Sequence, residues 1–233
     1  MTYWEKPAKK CIFTLNVDGY APEICEITYP LLRRYADKIG AEFYVISERK
    51  FPEWAPVYEK LQIYDLGRQM GNDWNLYIDS DALVHPDLMD LTNLLPKDTV
   101  MHNGADHAGN RWKYDRYFLR DGRHIGSCNW FTMASDWCIE LWKPLDDLTH
   151  EEAVARINPT VGELNTIITA DHLIDDYTLS RNIAKFGLKF KSFMQLQREM
   201  GREKEGYLYH EYTIPIPEKV IRMHKVLKAW GVM

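Results

Sequence analysis

Cysteine is sparse in this chain of 233 residues: Cys11, Cys25, Cys128 and Cys138 stand alone, with no Cys-x-x-Cys pair among them. That is no dense disulfide framework, and it fits reduced, mostly buried thiols in an intracellular setting. No apolar run is long enough to span a bilayer, and the opening Met-Thr-Tyr-Trp-Glu-Lys-Pro lacks the pattern of a signal peptide. A cytoplasmic protein is therefore expected. No large excess of one charge is present either. The formal net charge of −5 disfavours a general nucleic-acid or anionic-membrane partner. Internal repeats, linkers and low-complexity tracts are absent too, so residues 1–233 read as a single α/β domain.

What the chain has in quantity is apolar and aromatic side chains, 45% and 13% of the residues, including eight Trp and fourteen Tyr. That is enough for a sizeable core, with aromatic faces to spare for stacking on sugars or bases. The segment that organises the rest is Trp74-Asn-Leu-Tyr-Ile-Asp-Ser-Asp-Ala-Leu-Val-His-Pro86. A buried strand there would deliver Asp79 and Asp81 at its C-terminal end. Residues two apart on an extended backbone point the same way, so both carboxylates can face one site. Converging carboxylates are costly unless a cation or a proton lies between them, and a divalent metal with oxygen ligands meets that need. Asp and Ser are also common turn residues where strands end.

Around that segment the pattern alternates between strand and helix. Lys10 to Val17 reads as a central strand, Asp18 to Pro22 as a turn, and Ile24, Ile27, Leu31, Tyr35 and Ile39 as one helical face closed by Gly40, with Pro30 a possible kink. A second strand follows over Glu42 to Ser47, which implies a parallel pair with a right-handed crossover. Further elements are a helix near Val57 to Met70, a helical turn over Leu88 to Leu95 and a strand at Thr99 to His102. Cys128 to Ala134 forms another strand, with Ser135 capping a helix that carries Trp137, Ile139, Leu141 and Trp142. Helices near Glu151–Ile157, Val161–Ala170 and Asp175–Phe186 follow, then a strand near Tyr207–Ile214, two prolines and a closing segment over Val220–Trp230 that carries Arg222, His224, Lys225 and Lys228. Residues 102–124, crowded with charge and aromatics, read as a long loop that is either functional or a solvated excursion. In such an open sheet, ligands bind beyond the carboxyl ends of the strands, so Asn16 to Tyr20 and Asp79 with Asp81 would line one crevice.

These blocks resemble the nucleotide-sugar glycosyltransferases of the GT-A fold, in pattern the glycogenin-like glycosyltransferase family 8. Thr14-Leu-Asn-Val-Asp-Gly-Tyr20 is similar to the family's nucleoside-holding first strand, Tyr58-Glu-Lys-Leu61 to its Thr-Lys-Leu, and Leu76 to Val84 to its metal-binding Asp-x-Asp strand. Asn129 stands where the family has Asn-x-Gly, with Phe131 in place of the glycine. Asp175 and Asp176 resemble the acidic segment beside the reacting carbon, and His224 to Trp230 the closing His-x-x-Gly-x-x-Lys-Pro-Trp. The resemblance implies a GT-A-like (Rossmann-like) domain with a mixed, mostly parallel central sheet flanked by helices. It also implies metal-dependent transfer of a sugar from a nucleoside-diphosphate sugar, with a UDP-sugar expected, to an acceptor hydroxyl with retention of configuration. On that pattern Asp79, Asp81 and His224 hold Mn2+ (or Mg2+). Thr14, Asn16, Val17, Tyr20, Ser80, Asn129 and Lys228 serve the donor, and Lys60, Asp175 and Asp176 the chemistry. Two alternatives remain open at this point: a haloacid-dehalogenase-like magnesium phosphatase with Asp79 as nucleophile, and a non-catalytic nucleotide-sugar-binding module of the same fold.

Overall fold

Continuous apolar runs become the central strands. The computed structural model describes residues 6–104, 127–157, 169–202, 206–211 and 214–233, with only the backbone of 127–129. Its strands are β1 (Lys10–Leu15), β2 (Ala41–Ile46), β3 (Trp74–Ile78), β4 (Leu83–Val84), β5 (Thr99–Gly104), β6 (Ser127–Ser135), β7 (Lys189–Ser192) and β8 (Leu208–Tyr209). Six of them form one sheet in the order β2-β1-β3-β6-β5-β7, while β4 and β8 form a separate pair. The contacts β1–β2, β1–β3 and β5–β7 are parallel, whereas β3–β6 and β5–β6 are antiparallel. It follows that only β6 runs against the others. The sheet is mixed and mostly parallel, as its near-unbroken apolar strands require when both faces are covered.

Alternation along the strands sends side chains to two cores. Cys11 and Phe13 of β1 and Tyr77 of β3 face a cluster with Tyr58, Leu61, Trp142, Ile174 and Tyr177. Ile12, Leu76 and Ile78 face the opposite one, with Leu32, Tyr35, Leu88 and Phe193. Helix α1 (Pro22–Ile39) covers the second face, and its 18 residues run on through Pro30. The chain leaves that helix at Gly40, whose φ of 66° is the left-handed geometry glycine adopts without penalty. α2 (Ile63–Met70) and α3 (His150–Val154) follow, the latter opened by a capping box in which Thr149 and Glu152 exchange hydrogen bonds. α4 (Ile174–Lys185) lies across the first face, α5 (Phe193–Glu199) against the second, and α6 (Ile216–Ala229) closes the chain.

Several segments differ from the sequence reading. The helix expected from Val57 starts as a 3-10 turn over Pro56–Gln62 before α2 takes over. There Tyr58, Glu59, Lys60 and Leu61 are all buried, so no solvent face exists for an amphipathic α-helix to show. Ser135 does cap its helix, accepting from Trp137 N at 3.1 Å. The helix, however, is a 3-10 stretch over Asp136–Trp142, and Trp137 is exposed instead of joining the core. Among the described residues of the strand read near 207–214, only Leu208 and Tyr209 are paired, as β8. β4, β7 and α5 are elements the sequence reading did not separate. The helix read over Val161–Ala170 and most of the loop at 102–124 lie outside the described residues. Among the described residues, no helix is long and apolar enough to cross a membrane.

Candidate active site

The carboxyl end of β3 is where polar groups collect beneath and around an apolar sheet. Asp79 leaves the strand with its N–H donating to the carbonyl of Trp130 on β6 at 2.8 Å, and Ala82 N turns back onto the Asp79 carbonyl at 3.1 Å. That tight turn points both carboxylates to one side. Ser80 between them is anchored to α1, its carbonyl accepting from Thr28 Oγ1 at 2.6 Å. Beyond the turn, β4 pairs antiparallel with β8, Leu83 opposite Tyr209 and Val84 opposite Leu208. Continuing that register by one step sets His210 opposite Ala82, beside Asp81. The imidazole Nε2 lies 3.1 Å from Asp81 Oδ1 and 3.8 Å from Asp79 Oδ2. Its ring stacks on Trp130, with centroids 5.0 Å apart and planes 20° apart. Ligand atoms of Asp79, Asp81 and His210 all lie within 4.8 Å of one another, so one divalent ion could bridge them.

Lysines flank this trio on both sides. Lys60 is wholly enclosed. Its ammonium lies 2.6 Å from Asp175 Oδ2 and 3.6 Å from Asp79 Oδ1, and 4.5 Å from the centre of the Tyr77 ring. Burial works against that charge, but Asp175 and then Asp79 outweigh it and hold the Lys60 pKa above the ordinary lysine value. The Tyr77 hydroxyl donates to the same Asp79 Oδ1. Burial first, then Asp79, push that hydroxyl far above its usual pKa, which keeps it a donor. Asp79 thus has Oδ1 fixed from beneath and Oδ2 turned toward His210. On the other flank, Lys219 Nζ sits 2.6 Å from Asp81 Oδ2, which also accepts from the Tyr20 hydroxyl at 3.1 Å. Burial opposes ionisation of Asp81, yet His210 and Lys219 overcome it and hold the carboxyl far below the usual carboxylate range.

The loop after β1 forms the neighbouring wall. Asn16 extends the β1–β2 ladder through its N–H to the Ile46 carbonyl at 2.9 Å, and its side-chain amide donates to Tyr29 Oη at 3.0 Å. Asp18 and Ala21 both adopt positive φ, 58° and 37°, on either side of Gly19 and Tyr20. L-residues hold such geometry only where surrounding contacts enforce it. Here Arg49 supplies one, reaching Asp18 Oδ2 at 3.1 Å while its Nε is tied to buried Glu59 at 2.9 Å. A concavity opens against this loop, lined by Asn16, Gly19, Tyr20, Cys25, Tyr29 and Arg33.

Of the residues named from sequence, Tyr20, Lys60, Asp79, Asp81 and Asp175 come together in one network. Asn16 and Tyr20 line the concavity, Val17 and Ser80 are buried beside it, and Thr14 is fully enclosed within β1. Asp176 stands next to Asp175, with its N–H donating to Asp175 Oδ1 at 2.8 Å. The Asn129 side chain lies outside the described residues. His210, not His224, joins the two aspartates. On α6 the buried positions are Lys219, Met223 and Leu227, each four residues on from the last. His224 is one helical step of about 100° past Met223 and only half-buried, and Lys228 is exposed. Lys219, Tyr77 and Trp130 were also missed. His210 did carry a signal, since it lies inside the segment read as extended and directly follows β8. Lys219 carried none.

No family model and no curated protein matches the sequence. Among solved structures, a glycosyltransferase involved in the glycosylation of the major capsid of PBCV-1 aligns with a TM-score of 0.52. The alignment covers 93% of this chain and 98% of that one at 14% identity, which makes the likeness one of fold. A197 from STIV aligns over 61% of this chain and 69% of that one, at 15% identity and a TM-score of 0.33, too low for a shared fold.

Proposed function

We propose that this chain is a metal-dependent glycosyltransferase of one GT-A-like domain, transferring a sugar from a nucleoside-diphosphate sugar to an acceptor hydroxyl of a glycan or other acceptor. A UDP-sugar is the expected donor, retention of configuration the expected outcome and a cytoplasmic setting the expected location, a reading that the buried free thiols of Cys11, Cys25 and Cys138 support. The observation that carries the proposal is the meeting of Asp79, Asp81 and His210 at the carboxyl end of β3. In an open α/β sheet that edge is where ligands bind, and the fold is one a glycosyltransferase also uses.

The donor set fits a divalent ion. Two hard carboxylate oxygens and one imidazole nitrogen suit manganese better than magnesium, which prefers oxygen alone. When bound, the ion supplies Lewis-acid stabilisation of charge on the departing diphosphate. The protein's own groups prepare the site for it. Tyr77 and Lys60 fix Asp79 Oδ1, so its second oxygen is left on the side of His210. Trp130 holds the His210 ring by stacking. Asp175, fully enclosed, holds Lys60, and we assign it to positioning that lysine rather than to contact with substrate. The concavity beside Asn16 and Tyr20 offers the nucleoside an apolar, aromatic-edged seat. In a retaining transfer no protein base need face the acceptor, because the leaving phosphate can take the acceptor's proton.

Calorimetric titration of UDP, GDP, dTDP and CDP, with and without Mn2+, tests this reading on wild type and Asp81→Asn. One nucleotide should bind in a metal-dependent way that the substitution abolishes. Failure of every nucleotide to bind under any metal would overturn the proposal and direct attention to phosphoester hydrolysis.

A further inference from the structure

The Lys219 ammonium is a second cation built into the same carboxylate that the ion would use. Its position is unfavourable on two counts. It lies in the first turn of α6, where the helix dipole repels positive charge, and it is 4% exposed. Both costs are offset by Asp81, whose Oδ2 it meets at 2.6 Å. The side chain cannot readily swing out to solvent. Its stem leaves α6 on the face shared with Met223 and Leu227, and those residues pack against Ala21, Ile24, Leu31 and Leu83. A cation arriving at Asp79, Asp81 and His210 therefore finds Asp81 already neutralised on its far oxygen. On the other flank Lys60 stands against Asp79 Oδ1. Across the network, Asp79, Asp81 and Asp175 face Lys60 and Lys219, three negative charges against two positive ones.

We propose that Lys219 is a fixed internal counter-cation that weakens divalent-metal binding at Asp79, Asp81 and His210, so that the bare ion is held loosely until a diphosphate adds its own negative charge. This rests on the metal-site reading above and adds to it a residue that sets the affinity. A unit positive charge on the same carboxylate, in surroundings of intermediate dielectric, is worth about an order of magnitude or more in divalent affinity. Loose binding of the bare ion makes metal and donor arrive and leave together.

The test is Mn2+ binding without nucleotide, followed by the paramagnetic resonance signal of free Mn2+ and by the Mn2+-dependent rise in melting temperature. Four proteins are compared: wild type, Lys219→Met, Lys219→Arg and Asp81→Asn. Lys219→Met should bind Mn2+ at least about tenfold more tightly than wild type, Lys219→Arg should stay near wild type, and Asp81→Asn should lose binding. If Lys219→Met does not fold, Lys219→Gln, whose neutral amide can still donate to Asp81, takes its place with the same expectation. Equal or weaker binding in the neutral variants, with Asp81→Asn still abolishing it, would overturn the counter-cation role and leave the metal site standing. No Mn2+ binding in any of the proteins would overturn both.

Discussion

Removing the Lys60 ammonium should expose how much of this fold depends on a charge that never reaches water. With Asp175 Oδ2 at 2.6 Å and Asp79 Oδ1 at 3.6 Å, an effective dielectric of about 20 gives gross attractions of about 6 and about 5 kcal/mol. Desolvation of the buried ammonium and carboxylates, several kcal/mol per ion, offsets most of that sum. Breaking such a buried pair by deleting one partner typically costs about 3–5 kcal/mol, because the remaining carboxylate is stranded. Lys60→Met, close in volume and able to keep contact with the Tyr77 ring, isolates that charge effect. At about 2–4 °C per kcal/mol for a chain of this size, the melting temperature should fall by roughly 6–20 °C. Asp175→Asn added to Lys60→Met removes the stranded charge and should recover about half the loss, which a double-mutant cycle by urea denaturation would measure. A loss below about 1 kcal/mol for Lys60→Met would refute the reasoning. So would a double variant no more stable than the single one, since burial alone would then explain the lysine's position.

Two further outcomes follow from named contacts. His210→Ala should abolish the Mn2+-dependent rise in melting temperature, whereas His224→Ala should keep it; the reverse result would restore the ligand set first read from the sequence. Asp147 is gripped by Arg181 through bonds of 3.1 and 2.7 Å and also by Lys185, and these partners, Arg181 foremost, lower its carboxyl from 3.8 to about 2. A depressed folded pKa stabilises the protein above pH 3.8 and loses that contribution as pH falls through 2. Because the group is partly exposed, the contribution is about 1 kcal/mol. The stability gap between wild type and Asp147→Asn, read from urea midpoints, should therefore close between pH 5 and pH 2, and a gap that stays constant would remove the ion pair from the account.

The first half of the chain was readable because its signals are local. β1 and β3 are unbroken apolar runs, β2 is a short run of β-formers, α1 carries a helical period, and Gly40 and Gly71 mark helix ends. Asp79 and Asp81 could be read because the strand preceding them is unmistakable. Elsewhere the deciding information is not local. α4 was read within a residue of its observed bounds, but it is buried from Ile174 to Ala184, Asp175 and Asp176 included, and the role of Asp175 depends on a lysine more than a hundred residues earlier. β7, with Lys189 and Lys191 alternating on a sheet edge, looks polar because edge strands gain from charge. The two-residue strands β4 and β8 are too short for any pattern, yet they decide which histidine reaches the aspartates.

That short ladder has a kinetic meaning as well. Asp81 and Lys219 are 138 residues apart, and the pairing that seats His210 is only two residues long. Contacts so distant in sequence and so few in number are among the last to form and the first to open. Against that tendency, Met223 and Leu227 of α6 pack on Ala21, Ile24, Leu31 and Leu83, so the seam that carries His210 and Lys219 closes with an apolar cluster behind it. An ion shared by Asp79, Asp81 and His210 would join the two sides of that seam, tying the end of β3 to a residue more than a hundred positions later.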